Sequence, residues 1–413
     1  MPMSSIKEGK KFVLIGAQSW AFGPAGKASA VAHSFQKLGL RTCFVGSSTS
    51  LDLCKNSGHF DDLIEVSSAY DYLNLQEGNF SAVVSVMDPY LAVWAKNRNL
   101  PLYYIDSMSW FWNWEDKSIA EDFIGNIEKK KLADSFKCLD AFEPDTRQLV
   151  AHQISQLVFS QGNPQTVPVT EKKSKNIGSV IDLSYRENII DRDTVVISLS
   201  GGISPVNSIE SAVRYANMIV DLVLEERSLD FFSAKRFVIT GHPEVIKKVN
   251  KPNKVGVEFV SLSHPDFLRV LNRAVVVFVP CGFTTIYEAL AYRVPVAFLP
   301  ENHNGHVYEY LIITDGLVDR EDIFPNTLFT LSSSSLDYIR PIDDSMNLID
   351  IYTKEYLNNT YCRENYRQKI DNIFRLLSDR DGVLKRQTEA IMKLIPDFEG
   401  ADRIARNLVA NLL

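Results

Sequence analysis

The chain is short of the features that assign a sequence quickly. Its five cysteines, Cys43, Cys54, Cys138, Cys281 and Cys362, are scattered without a C-x-x-C pair or zinc-type spacing. That excludes a disulfide framework, suggests no metal, and fits a reducing cytoplasm. No apolar run approaches the length of a membrane-spanning helix. The opening "MPMSSIKEGKKFVLIGA" goes from a polar lead straight into a short strand, too brief and wrongly flanked for a signal peptide. The N-x-[ST] matches at Asn79 and Asn358 are then chance. Basic charge is not in excess either. With 44 Lys and Arg against 51 Asp and Glu, the net charge of −7 offers no footprint for nucleic acid or an anionic membrane. The basic clusters "EKKKLADSFK" and "EKKSKN" read as solvated surface.

What is there is ordinary globular composition, 45% hydrophobic and 23% charged, over 413 residues. A single core stops growing before that length, so two domains are expected. The first part alternates short apolar runs with amphipathic ones: "KFVLIGA", "GKASAVAHSFQKLG", "RTCFVGS", then "SAVVSVMD", "PYLAVWAKNRN" and "PLYYID". This is the grammar of a parallel sheet wrapped by helices. It lapses from about 160 to 192, a stretch rich in Pro, Gln, Lys and Ser, and resumes with "TVVISLSGG", "RFVITG", "VGVEFVSL" and "VVVFVP". After about 345 the chain turns helical, and "ADRIARNLVANLL" carries apolar residues at helical spacing, so it should pack.

The most constrained stretch is "CGFTTIYEALAYRVPVAFLP", residues 281–300. A buried strand runs into a Cys-Gly turn and then a helix. The backbone N–H groups at such a start, beside the hydroxyls of Thr284 and Thr285, suit a diphosphate, and Gly282 allows close approach. Glu288, one turn on, can accept two hydrogen bonds from a vicinal diol such as a ribose. The bland alternative is a helix cap with a stabilising first-turn glutamate.

This stretch resembles the nucleotide-binding motif of GT-B glycosyltransferases, in particular the inverting type that forms lipid II by adding N-acetylglucosamine. The resemblance implies that Gly282 and Thr285 face the diphosphate and Glu288 the ribose. It also implies a glycine loop at "SLSGGISP", with Ser200, Gly201 and Gly202 against phosphate, and a nucleobase contact near Phe259 and Val260. An ordinary turn and a core strand are the competing readings of those two segments. In "PENHNGHVYEY", Asn302, His303, Asn304 and His306 stand where relatives hold donor-sugar hydroxyls. The family's glutamine is absent there, which leaves Asn304 and His306 as sugar contacts or the segment as a surface loop. At the place of the family's N-terminal histidine this chain has Pro24. A general base must then come from elsewhere, be unnecessary, or be absent. Asp88 and Asp106, each ending an apolar strand, are the candidates, with Asp106 preferred for the tryptophans that follow it. Trp110, Trp112 and Trp114 make a surface suited to stack on an acceptor. His33 lies on the apolar face of its helix and reads as structural.

The resulting expectation is an α/β protein of two Rossmann-like domains facing across a cleft, with C-terminal helices. Residues 1–165 hold the acceptor, 193–375 the nucleotide sugar, and 376–413 are helices for which a return toward the first domain is one packing. The activity implied is transfer of a sugar from a nucleotide-diphosphate donor to a small-molecule, glycan or lipid-linked acceptor. Inversion is expected, with no cofactor and no metal, since helix N-termini can stabilise the leaving diphosphate. A nucleotide-sugar 2-epimerase and a non-catalytic GT-B subunit are the alternatives.

Overall fold

Runs such as "FVLIGA" and "AVVVFV" have no polar alternation, so they fit only strands buried on both faces, which a parallel sheet supplies. The computed structural model describes residues 12–19, 22–109, 112, 118–161, 174–199, 207–224, 236–303, 305–317, 319–329 and 342–412. It divides into two compact units, one of residues 1–182 with 395–413, the other of residues 183–394.

The first unit is built on a seven-stranded sheet: β1 (Phe12–Ala17), β2 (Thr42–Gly46), β3 (Asp62–Glu65), β4 (Phe80–Val86), β5 (Leu102–Asp106), β6 (Leu157–Gln161) and β7 (Ser174–Ile177). Its order is β3-β2-β1-β4-β5-β6-β7 and every neighbour pair is parallel. Alternate residues of β1 feed separate cores. Phe12 and Leu14 join the side covered by the helices Pro89–Asn97, Leu132–Asp140 and Pro144–Ile154, while Val13 and Ile15 join the side covered by Phe22–Lys37 and Gly400–Leu412.

The second unit has a five-stranded sheet: β8 (Thr194–Ser198), β9 (Arg236–Thr240), β10 (Val257–Val260), β11 (Ala274–Val279) and β12 (Val296–Phe298). The order is β10-β9-β8-β11-β12, again all parallel. Val195, Ile197, Val276 and Phe278 pack with the helix Ile209–Val223 and with Ile370 and Phe374 of the helix Thr360–Leu376.

Two stretches run differently from the sequence pattern. Residues 174–177, inside the polar lapse, form the edge strand β7, and the first unit continues to Asp182 rather than stopping at 165. An edge strand is half solvated, so "SKNI" needs little apolar character. The last helix, Gly400–Leu412, belongs to the first unit. Ala401, Ile404, Ala405 and Leu408 are buried against the Phe22–Lys37 helix, and Ser34 Oγ donates to Asp402 at 2.6 Å. The return is clasped by Ser179 N–H to the Asp397 carbonyl at 2.8 Å and Gly400 N–H to the Ser179 carbonyl at 2.9 Å. A Cβ on either Gly178 or Gly400 would run into the facing backbone, so glycine is required at both by close approach.

Candidate functional site

In open parallel sheets a ligand crevice forms past the carboxyl ends of the strands where the strand order reverses. In the second unit the reversal lies between β8 and β11. β11 ends at Val279, and after Pro280 and the buried Cys281 the chain enters the helix Phe283–Ala291 with Gly282 as its N-cap. The φ of Gly282 is −125°, which any residue adopts, and a Cβ there would meet its own chain only at 3.8–3.9 Å. Neither conformation nor crowding within the chain therefore demands a glycine at 282. Three side chains converge on this helix, two of them, His264 and Glu309, missed in the sequence.

The first is His264, which opens the helix His264–Asn272 and shares a 2.6 Å hydrogen bond between its Nε2 and Glu288 Oε1. Glu288 is buried, at 2% exposure, so it does not lie on an open helix face as its position one turn into the helix suggests. This is its single hydrogen bond among the described residues, leaving Oε2 without a protein partner there.

The second is Glu309, on the helix Gly305–Ile313, whose Oε2 accepts the Phe283 N–H at 2.8 Å. The leading N–H of the turn thought to await a diphosphate is therefore met by the chain's own carboxylate, drawn there by the orphan amides and the helix dipole. Thr284 and Thr285 are half-buried beside it.

The third is a defined tautomer of His306. Its Nδ1 accepts the Asn302 N–H at 3.4 Å, and Asn302 Nδ2 reaches the Leu199 carbonyl at the end of β8 at 3.3 Å. Burial, and then His303 beside it, push the His306 imidazole down to about 3. A neutral ring whose Nδ1 accepts carries its proton on Nε2, and that atom would lie 3.9 Å from a Cβ placed on Gly282. His303 is likewise lowered by burial and accepts the Gly305 N–H through Nδ1 at 3.1 Å. The loop is thus an organised, uncharged donor and acceptor set.

The other anticipated donor contacts divide. Phe259 and Val260 end the edge strand β10, with Phe259 packed against the apolar core of its unit and both half-buried. Ser200, Gly201, Gly202 and Asn304 lie outside the described residues.

In the first unit the anticipated base does not emerge at a surface. Asp106 is fully buried. It accepts the Met108 N–H at 2.8 Å and Trp112 Nε1–H at 3.0 Å, and its Oδ2 lies 2.7 Å from Nε2 of the equally buried His152. Asp88 caps the helix Pro89–Asn97, accepting from the Tyr90 and Leu91 amides at 3.0 and 3.2 Å and from the Tyr72 hydroxyl at 2.6 Å. Burial raises its carboxyl pKa despite those donors. Both carboxylates, expected to take a proton from an acceptor hydroxyl, are thus enclosed and hydrogen-bonded to the loops past β4 and β5. The loop after β4 needs holding, since Met87 sits at φ 56°, a left-handed conformation costly for a side-chain-bearing residue. Its N–H donates to the Ile105 carbonyl at 3.0 Å. Trp112 serves Asp106 with its indole N–H; Trp110 and Trp114 lie outside the described residues.

Solved structures share this architecture. The glycotransferase of kitacinnamycin superposes with a TM-score of 0.53 at 13% identity, covering 99% of this chain and 100% of that one. The spinosyn rhamnosyltransferase SpnG gives 0.55 at 11% identity, with 96% and 100% covered. Arabidopsis thaliana UGT89C1, complexed with UDP-L-rhamnose, gives 0.52 at 12%, with 98% and 99% covered. No protein-family profile matches the chain and no curated protein matches it. No helix among the described residues is long and apolar enough to cross a membrane. The narrower likeness to lipid II-forming enzymes rests on the 281–300 motif alone. At these identities what is shared is the fold, and the chain has the two-unit α/β fold of the GT-B glycosyltransferases.

Proposed function

We propose that the chain is a glycosyltransferase whose second unit binds a nucleoside-diphosphate sugar at the end of β11. The observation that carries this reading is Glu288: buried, oriented by His264 through one oxygen, with the other oxygen unpartnered among the described residues, on the helix at the strand-order reversal. A ribose diol supplies the hydrogen-bond donors that such a carboxylate lacks. Gly282, which its own chain does not require, gives the diphosphate room for close approach. The neutral Nε2–H assigned to His306 donates to a phosphate or sugar oxygen at any physiological pH. The solved complex with UDP-L-rhamnose makes a uridine diphosphate sugar the first donor to try. Transfer proceeds by in-line attack with inversion. The leaving diphosphate is stabilised by helix amides and needs no metal. The first unit receives the acceptor, with Asp106 and Asp88 as positioning residues for the loops around it.

Glu309 favours a second reading, a GT-B subunit that binds without catalysis. Its carboxylate already occupies the leading amide of the turn, and Pro24 stands where a base would come from. One experiment separates the two. Thermal shift against uridine, thymidine, guanosine and adenosine diphosphates identifies the nucleotide, a ligand at ~100 times its dissociation constant adding ~2.7 kcal/mol. Nucleotide release from the matching sugar donor is then followed with phenolic and alcohol acceptors. Binding with acceptor-dependent release is the transferase outcome. Binding with no release from any donor and acceptor pair selects the subunit, and no binding at all overturns both.

A further inference from the structure

The amino ends of the strands in the second sheet carry a group of arginines that the nucleotide reading leaves unused, all in the second unit. Arg192 lies just before β8 and is half-buried. Its guanidinium donates to the Ala274 carbonyl at the start of β11 at 3.0 Å, and to the carbonyl of Tyr292, the C-cap of the helix Phe283–Ala291, at 2.7 Å. Arg293 follows Tyr292 directly, at φ 60°. That left-handed position past a helix end favours glycine or asparagine, and an arginine holds it at a cost. Arg186 precedes Glu187, whose carbonyl accepts from Asn272 Nδ2 at 3.2 Å just before β11. Arg380 opens the helix Arg380–Ile391, which Gln387 ties to the start of β12 by accepting the Val296 N–H at 2.9 Å and donating to the Val296 carbonyl at 2.7 Å.

Arg186, Arg293 and Arg380 are exposed, and none of the four arginines forms an ion pair among the described residues. Of the carboxylates near them in the chain, Asp193 pairs with Arg273 at 3.2 Å and Asp379 with Arg386 at 3.5 Å, while Glu187, Asp191 and Asp381 are exposed. Burial, and then the charges of Arg293, Arg380 and Arg186 in that order, push the Arg192 guanidinium below the usual arginine range. Two carbonyls, one of them at a helix end, account for Arg192 as a clamp. They do not account for three further like charges gathered on it without a counter-ion, in a chain whose net charge is −7. Arginine keeps its proton at any physiological pH, so what relieves the repulsion is an anion. We propose that Arg186, Arg192, Arg293 and Arg380 form a binding site for a phosphate-bearing anion. Guanidinium forks match phosphate oxygens and take them in pairs. The site sits at the opposite end of β11 from Gly282 and does not depend on the nucleotide reading.

The test uses the full chain in phosphate-free buffer of low ionic strength. Inorganic phosphate, pyrophosphate and glycerol phosphate are the separate probes, with sodium chloride at matched ionic strength as the baseline. At least one probe should bind as a single equivalent in calorimetry and raise the melting temperature above that baseline. The tightest of the three tells a free phosphate from linked phosphates or a phosphate ester. Arg293→Gln and Arg380→Gln change exposed side chains, and together they should weaken that probe about tenfold or more. Lys385→Gln removes an exposed cation from the same helix as Arg380 and should leave the affinity unchanged. No response above the chloride baseline from any probe would overturn the site. So would equal affinity in the double variant, which puts the anion elsewhere, the Gly282 turn included. An equal loss with Lys385→Gln would reduce the effect to net charge and overturn it too. If the double variant fails to fold, Arg186→Gln decides in the same titration: retained affinity overturns the assignment, and weakened affinity supports it.

Discussion

A buried carboxylate meets a histidine once in each unit, at 2.7 Å in His152–Asp106 and at 2.6 Å in His264–Glu288. The surroundings of the two pairs differ. Asp106 also takes a backbone amide and an indole N–H, and both partners are wholly enclosed. Among the described residues Glu288 has only its histidine, and that pair keeps slight exposure, 8% for the His264 side chain and 3% for the Glu288 side chain. Three donors on one carboxylate mark a group that knits a loop to a sheet. An oxygen held in place without a partner marks one poised for something else. Distance and burial alone do not separate the two pairs, whereas the number of donors on each carboxylate does among the described residues.

The largest expected effect falls on the Asp106 pair. Asp106→Ala leaves His152, Trp112 and the Met108 amide without their acceptor in a closed interior, and breaking a buried pair in this way costs about 3–5 kcal/mol. Urea unfolding should show that loss, with unchanged nucleotide affinity in the folded fraction. A loss below about 1 kcal/mol would erase the contrast between the pairs.

Next comes Glu288→Gln, whose effect should appear in binding more than in stability. A charge-assisted hydrogen bond is worth about 1.5–3 kcal/mol, so calorimetry should show a ribonucleoside diphosphate weakened roughly ten- to hundred-fold. A 2'-deoxy analogue should be affected less. Equal affinity for both proteins would remove the diol from the account. Gln is preferred to Ala here, because truncating a buried partner of His264 would also loosen the fold.

A smaller effect of mixed sign is expected for Glu309→Gln. Losing the negative charge at the helix N-terminus should cost about 0.3–1 kcal/mol of stability. It should also tighten diphosphate binding several-fold at low salt by removing a like charge. Weaker binding in this variant would mean that Glu309 holds the ligand rather than competing with it.

The smallest effect at neutral pH concerns His306. Its pKa falls from an ordinary 6.5 to about 3 on folding, so the unfolded chain takes up the proton first. The stability tied to the neutral ring is therefore complete above about pH 6.5 and is lost as pH falls toward 3, with a slope of at most ~1.4 kcal/mol per pH unit. His306→Asn should flatten the acid limb of the stability profile and leave pH 7.5 nearly unchanged. An acid limb identical in both proteins would show that the ring is charged in the fold, and would remove it as a neutral donor.

The cores of both sheets were legible from the sequence because strand period and apolar runs are local properties. "AVVVFV" is buried at every position, as its composition requires. The edge strands β3 and β7 were not, since "DLIE" and "SKNI" carry no burial signal of their own. The turn and helix from Gly282 onward were readable for the same local reason, while the companions of Glu288 were not. His264 lies 24 positions before it in the chain, and Glu309 reaches Phe283 from 26 positions after.

The sequence by itself determined two parallel α/β arrays and a strand-to-helix turn at Gly282 at the end of one buried strand. Tertiary structure alone decided which buried carboxylates take several donors and which keep an oxygen without one among the described residues. It also decided that the last helix returns to the first unit, and that Arg192 reaches both the start of β11 and the C-cap of the helix Phe283–Ala291. The division has a physical origin. Propensity and periodicity act within a few residues, whereas a buried polar group is settled by whichever donor the crossing of distant segments brings within 3 Å or so, and burial then makes that partner obligatory.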